Sequence, residues 1–318
     1  MTVCIAGICS WTPGGMRTIV AICDRMITSA DLQFEPDQPK LVQFTSRIGA
    51  LISGSGTTQT AIYNAVSRRS EISDGWNDAS INVETVANFF AQEIAQYRAR
   101  HAEQIYLRPL GLDTATFMAN QSLYQPQFVQ DTIQNIQNFD IGEMQTVIMG
   151  MDQTGPHLFY IDKWGNIRCD DLIGFTAIGI GEWHATSHLM LAKYSKKLQF
   201  QSAILHMYLA KRKAEAAPGI GRTTDIFFTT DNEITTLRDG IHDILRSCVD
   251  EMEAKIAPLA AETEKKFRTS VDEFLAQENQ TPVEIEKPKP QIEGTAHETT
   301  PSTERSDAKG TAGSKTAG

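Results

Sequence analysis

A threonine stands directly behind the initiator methionine, at Thr2. A hydroxyl is a poor nucleophile unless a base sits beside it. A second residue this small lets an aminopeptidase remove Met1, which leaves Thr2 with a free α-amine. That amine, with an unperturbed pKa of about 7.7–8.0, can take the hydroxyl proton near neutral pH. One residue would then supply both nucleophile and base for attack on an amide carbonyl. A start of Met-Thr carries little weight alone, so the chemistry has to be sought in what accompanies it. Asp24-Arg25 closes the second apolar run of the chain, Lys40 follows Asp24 by 16 positions, and Gly54 follows Lys40 by 14.

Other residues invite other chemistries. His184 and His188 are four apart on an expected helix, which puts both imidazoles on one face. The intervening Ala185-Thr186-Ser187 lacks the glutamate of the zinc-protease motif and no third ligand is evident, so no metal site is expected. Gly54-Ser55-Gly56 lies between a strand and a helix, as a phosphate loop does, but no Gly-Lys-Ser/Thr follows and no nucleotide site is expected. The five cysteines, Cys4, Cys9, Cys23, Cys169 and Cys248, form no CxxC pair. They read as small buried hydrophobes in a reducing compartment, with Cys4 and Cys23 facing each other as packing.

The elements that must position these residues begin with strands. Residues 2–9 and 17–23 are β-branched and apolar, and Ser10-Trp11-Thr12-Pro13-Gly14-Gly15 between them is turn chemistry, so the two form a hairpin. Further strands are expected at Lys40–Phe44 and Ile48–Ser53. Helices follow at Thr57–Arg69, Val83–Ala102 and, in a polar stretch containing Pro126, Ser122–Phe139. Strand character returns at Gln145–Met151, His157–Asp162 and Asn166–Cys169. Helices are then expected at Glu182–Lys197 and Gln199–Ala216, and strands at Asp225–Thr230 and Glu233–Leu237. Periodicity by itself reads as α+β: antiparallel sheets covered by helices.

With 41% hydrophobic and 21% charged residues in 318, the chain can bury a sizeable core. A formal charge of −10 without a basic run argues against nucleic acid. No secretory signal and no apolar run of about 20 residues is visible, so a soluble, cytoplasmic protein without membrane contact is expected. The expected organisation is a hydrolase domain over residues 2–240, a long charge-rich helix over 241–277 and a tail over 278–318. The tail is rich in Pro, Thr, Glu, Lys and Ser and is expected to be disordered.

Thr2, Ala21-Ile22-Cys23-Asp24-Arg25-Met26, Lys40 and Ile52-Ser53-Gly54-Ser55-Gly56-Thr57 together resemble the proteasome β subunits and their bacterial relatives, the HslV peptidase and the ancestral β-subunit (Anbu) family. In those proteins an N-terminal threonine precedes a strand-end aspartate, a lysine and an oxyanion glycine at the same two intervals. The start Met1-Thr2-Val3-Cys4-Ile5-Ala6 looks most like the Anbu type. The likeness is good over residues 2–70 and looser at Ala177-Ile178-Gly179-Ile180-Gly181 and at Asp225–Thr230 with Ile234. It implies a four-layer αββα sandwich of the N-terminal-nucleophile (Ntn) hydrolase kind.

The resemblance also implies roles. Thr2 Oγ attacks, Lys40 lowers the proton affinity around it by its charge, Asp24 holds Lys40, and the Gly54 N–H binds the oxyanion. Two departures stand out: Thr2 and Asp24 lie 22 residues apart, more than is usual, and Ile180 replaces an accessory serine. The family's accessory aspartate and serine ahead of the last strands have no assigned counterpart, and Thr223 and Thr224 are candidates. Each residue has an ordinary reading as well: Asp24-Arg25 as a surface ion pair, Lys40 as a solvated strand start, Gly54 and Gly56 as chain breakers. The expected function is a threonine peptidase or amidohydrolase that needs no cofactor or metal. The alternatives are a non-catalytic ring or scaffold subunit and an amidase for a small metabolite. By resemblance only, a homo-oligomer in a ring or stack is expected, with any unfoldase partner open.

Overall fold

The computed structural model describes residues 2–29, 32–72 and 80–278. Residues up to Ile256 form one compact unit. It is mixed α+β with two antiparallel sheets. The first sheet has the order β10-β1-β2-β11-β12, from β1 (Cys4–Ser10), β2 (Arg17–Asp24), β10 (Phe175–Ile178), β11 (Thr224–Thr229) and β12 (Ile234–Thr236). The second has the order β5-β6-β7-β8-β9, from β5 (Leu41–Gln43), β6 (Ile48–Gly54), β7 (Met144–Asp152), β8 (Gly155–Asp162) and β9 (Ile167–Cys169). A small hairpin joins β3 (Ile27–Ser29) to β4 (Leu32–Phe34).

The strands of the hairpin are buried on both faces, which is why β1 reads as a continuous apolar run rather than an alternation. The alternation survives in which core each residue enters. Cys4, Ala6 and Ile8 of β1 and Ile19, Ala21 and Cys23 of β2 pack with Leu51, Val147, Met149 and Leu158 of the second sheet. Val3, Ile5, Val20 and Ile22 point the other way, into a core shared with α5 (Glu182–Leu191) and α6 (Phe200–Ala214). On the second sheet, Ile48, Ala50, Ile148 and Ile161 pack with α1 (Gly56–Ile72) and α2 (Val83–Tyr106). Each buried Val, Leu, Ile or Met side chain among these contributes about 1.5–3 kcal/mol relative to exposure.

The expected strands and helices of residues 2–23, 40–72, 83–102, 144–169, 199–216 and 225–237 are present, with ends shifted by a few residues. Elsewhere the structure corrects the reading. The stretch expected as one helix over Ser122–Phe139 is a 3-10 turn, Gln121–Leu123, followed by α4 (Pro126–Gln137). Pro126 opens that helix, where its missing N–H costs nothing. A short α3 (Thr114–Ala119), capped by Asp113, precedes it. The helix expected to reach Lys197 ends at Leu191, and Lys193 turns the chain with φ 53°. Strands β3, β4 and β10 are additional to those expected.

The expected long helix is α7 (Asp239–Glu278), with Pro258 inside it. Leu245 and Val249 pack into the core of the first sheet's helical side. Residues from Ala257 onward form a second unit, whose described part is helical and exposed, laced by Glu262–Lys266 and Glu264–Arg268 pairs. The tail expected to be disordered lies, beyond Glu278, outside the described residues. No helix among the described residues is long and apolar enough to cross a membrane.

Candidate active site

The hairpin register places the first pair of site residues. Cys4 faces Cys23 and Ser10 faces Arg17, so residues 11–16 form the turn and Val3 falls beside Asp24. The two backbones meet there, with Asp24 N donating to Val3 O at 3.2 Å. The longer spacing between Thr2 and Asp24 is therefore absorbed in the turn. Strand pairing returns the carboxylate to the threonine whatever the turn's length.

Three of the four expected residues converge. Thr2 Oγ donates to Asp24 Oδ1 at 2.6 Å. Lys40 Nζ donates to the same oxygen at 2.9 Å and to Thr2 Oγ. Asp24 is fully buried, and the Lys40 side chain is 12% exposed. Asp24 also accepts from Val3 N at 2.9 Å, Met26 N at 3.0 Å and Gly221 N at 3.0 Å, so both its oxygens are engaged. The alternative reading of Asp24-Arg25 as a surface ion pair does not hold, since the two residues have other partners. Arg25 grips Asp225 through Nε and a terminal nitrogen and reaches Asp37 at 2.8 Å, while Lys40 is the partner of Asp24.

Gly54, the fourth, ends β6 with φ 112°, a backbone region that glycine reaches without strain. A Cβ there would sit 2.7 Å from the Glu143 carbonyl carbon of β7's approach, so no other residue fits. With Thr2, Lys40, Met26, Ile52 and Thr57 it borders a cleft of about 470 Å³. The N-terminus of α1 opens onto this cleft through Gly54, Ser55 and Gly56, and has no acidic residue in its first turn. Unpaired helix N–H groups and the positive dipole end favour negative charge at that place.

Several residues outside the four expected ones also hold the site. Gly179 has φ 92°, and a Cβ on it would lie 2.7 Å from Thr2 Cγ2 and 2.9 Å from Ser53 Oγ. Gly181 N donates to Thr2 O at 3.3 Å. Lys211 of α6 is fully buried beneath the loop that supplies Gly221. Its Nζ donates to Gly221 O at 2.8 Å, Arg222 O at 2.9 Å and Glu215 at 2.7 Å, using all three of its N–H bonds. Burial pulls the Lys211 pKa below that of a free lysine, against the opposing pull of Glu215. The helical step from Ile204 through Met207 and Tyr208 to Lys211 was the available clue, since it puts a lysine on the buried face.

The remaining candidates go elsewhere. Thr223 Oγ donates to Glu35, and Thr224 Oγ to Arg222 O at 3.2 Å, so neither bond is to Thr2. Ile180 is 46% exposed and lines a hollow beside Gly54. Among the described residues no three His, Cys, Asp or Glu side chains gather as a metal site, His184 and His188 included. The buried thiols of Cys9 and Cys23 are poor nucleophiles. The hydrogen bond with Cys4, then burial, holds the Cys23 pKa well above the usual thiol value, and burial pushes Cys9 up to about 12.

No protein-family model matches the chain, and no curated protein is similar enough to match it. The site's own geometry therefore carries the functional reading.

Proposed function

We propose that the chain is a threonine-type Ntn hydrolase that cleaves amide bonds, peptides foremost, through Thr2 after loss of Met1. The observation that carries this reading is the placement of Thr2 Oγ between Asp24 Oδ1, at 2.6 Å, and the Lys40 ammonium. The two sheets packed face to face, each with helices on its outer side, support a four-layer αββα arrangement of the proteasome-like kind. A ring or stacked homo-oligomer remains part of the proposal by resemblance to the proteasome β subunits.

In this mechanism the freed Thr2 amine takes the Oγ proton as Oγ attacks the carbonyl carbon. The Lys40 ammonium, fixed by Asp24, lies against the oxygen that develops negative charge. The Gly54 N–H and the α1 N-terminus face the carbonyl oxygen as it becomes an oxyanion, where one donor is typically worth about 2.7–4 kcal/mol. The amine then returns its proton to the leaving nitrogen, and the C–N bond breaks to give an acyl ester on Thr2. Water, deprotonated by the same amine, attacks the ester and releases the acid.

Intact mass of the bacterially produced protein, read at its N-terminus, is the first test, followed by fluorogenic peptide hydrolysis by wild type and Thr2→Ala. Loss of Met1 with turnover that vanishes in Thr2→Ala is expected. Full retention of Met1, or equal rates in the two proteins, sinks the hydrolase reading and leaves the scaffold subunit.

A further inference from the structure

Gly54 borders a second hollow, of about 500 Å³, whose other walls include Gly179, Ile180, Glu182 and Trp183. A chain crossing Gly54 with its scissile carbonyl therefore has one flank beside Thr2 and Lys40 and the other in this hollow.

Its chemistry is set by Glu182 and Trp183, the first two residues of α5. Gln145 Nε2 donates to Glu182 Oε2 at 3.1 Å, while Gln145 Oε1 accepts from Gly179 N at 2.7 Å. Tyr160 stands 3.3 Å from the same Gln145 nitrogen. These neutral partners fix the carboxylate in place without pairing its charge. Among the described residues Glu182 forms no salt bridge. Arg168, which feels the charge of Glu182, is bound to Asp170 at 2.7 and 3.0 Å and lies over the Tyr160 ring at 4.4 Å. Glu143, also on the wall, is paired with Lys163 at 3.1 Å. Trp183 leaves 82% of its surface exposed, an indole presented beside an unpaired carboxylate.

We propose that this hollow binds a lysine or arginine side chain of the substrate, next to the amide that Thr2 cleaves. Glu182 accepts a charge-assisted hydrogen bond, which a guanidinium can donate in two-pronged geometry. The Trp183 face adds cation–π attraction, and Ile180 covers the aliphatic stem. An apolar or acidic side chain in the same place would strip water from Glu182 and return no partner, so the hollow discriminates as well as binds. The inference deepens the hydrolase reading and rests on it for the position of the scissile bond.

The test compares peptides that differ only in arginine against citrulline, moved in turn through the positions flanking the scissile bond. At low salt, arginine is expected to raise kcat/KM about tenfold at one position, equivalent to about 1.4 kcal/mol. Glu182→Gln and Trp183→Leu each bring that ratio toward one, and added salt lowers it in wild type. A wild-type ratio near one at every position overturns the inference while leaving the hydrolase intact. If wild type cleaves neither peptide, the hydrolase reading fails and binding decides the hollow. Wild type is then titrated with both peptides by tryptophan fluorescence, using the part of the signal absent in Trp183→Phe. Tighter binding of the arginine peptide supports a cation site, and equal binding removes it.

Discussion

Replacing Lys211 with methionine keeps the length of the stem and deletes the ammonium under the site. Three acceptors then lose a donor: Gly221 O, Arg222 O and the Glu215 carboxylate. A buried acceptor left unmade costs about 1–3 kcal/mol, and removing one partner of a buried ion pair about 3–5 kcal/mol. Because the Arg222 and Glu215 groups keep some access to water, the sum is not additive, and a loss of about 3–5 kcal/mol is expected. The assay is urea unfolding followed by circular dichroism. Lys211→Met/Glu215→Leu should recover part of the loss, since it removes the stranded carboxylate. Peptide turnover should fall with the single substitution, as the loop that presents Gly221 N to Asp24 loosens.

The pH dependence gives a second reading of the same residue. The folded pKa of Lys211 lies below its unfolded value, so the unfolded chain binds the extra proton. The cost of burying the charge is complete below the folded pKa and is relieved as pH rises toward the unfolded value of about 10.4. Wild-type stability should therefore gain an upward slope on the alkaline side that Lys211→Met lacks. A single variant within about 0.5 kcal/mol of wild type, with no change in that slope, refutes the buried three-acceptor anchor.

Three further outcomes are expected. Gly179→Ala should abolish turnover and lower stability by at least the 1–2 kcal/mol of a left-handed residue, because its Cβ would meet Thr2; activity above a tenth of wild type counts against this contact. His188 has a lowered folded pKa through burial and then the charges of His206 and Lys213, and its buried Nε2 has no hydrogen-bond partner among the described residues. Stability should accordingly fall as pH drops from about 6.5 through that folded pKa, and His188→Leu should flatten the fall in denaturation midpoints between pH 7.5 and 5. A thiol reagent at pH 8 should label exposed Cys169 and Cys248 in native protein, and buried Cys4, Cys9 and Cys23 only in denaturant; fast native labelling of all five would contradict the packed hairpin.

What the linear chain determined is whatever depends on neighbours along it. The apolar runs over residues 2–9 and 17–23 with turn residues between them specify a hairpin, and a hairpin's register then carries Asp24 to Thr2. The glycines before α1 specify a helix start and an open backbone, and Lys40 is brought in by its position just ahead of β5. Those four residues were singled out by the resemblance, which rests on their order and intervals along the chain. Tertiary structure alone decided the rest. Gly221 reaches Asp24 across 197 residues, Lys211 is buried because β1 and β2 pack on α6, and the Gly179 turn meets Thr2 because β10 pairs with β1. The Glu182–Trp183 hollow arises where α5, β7 and the end of β6 meet. Such contacts depend on which sheet face lies against which helix, and a chain buried on both faces of its strands shows no alternation from which to read that choice.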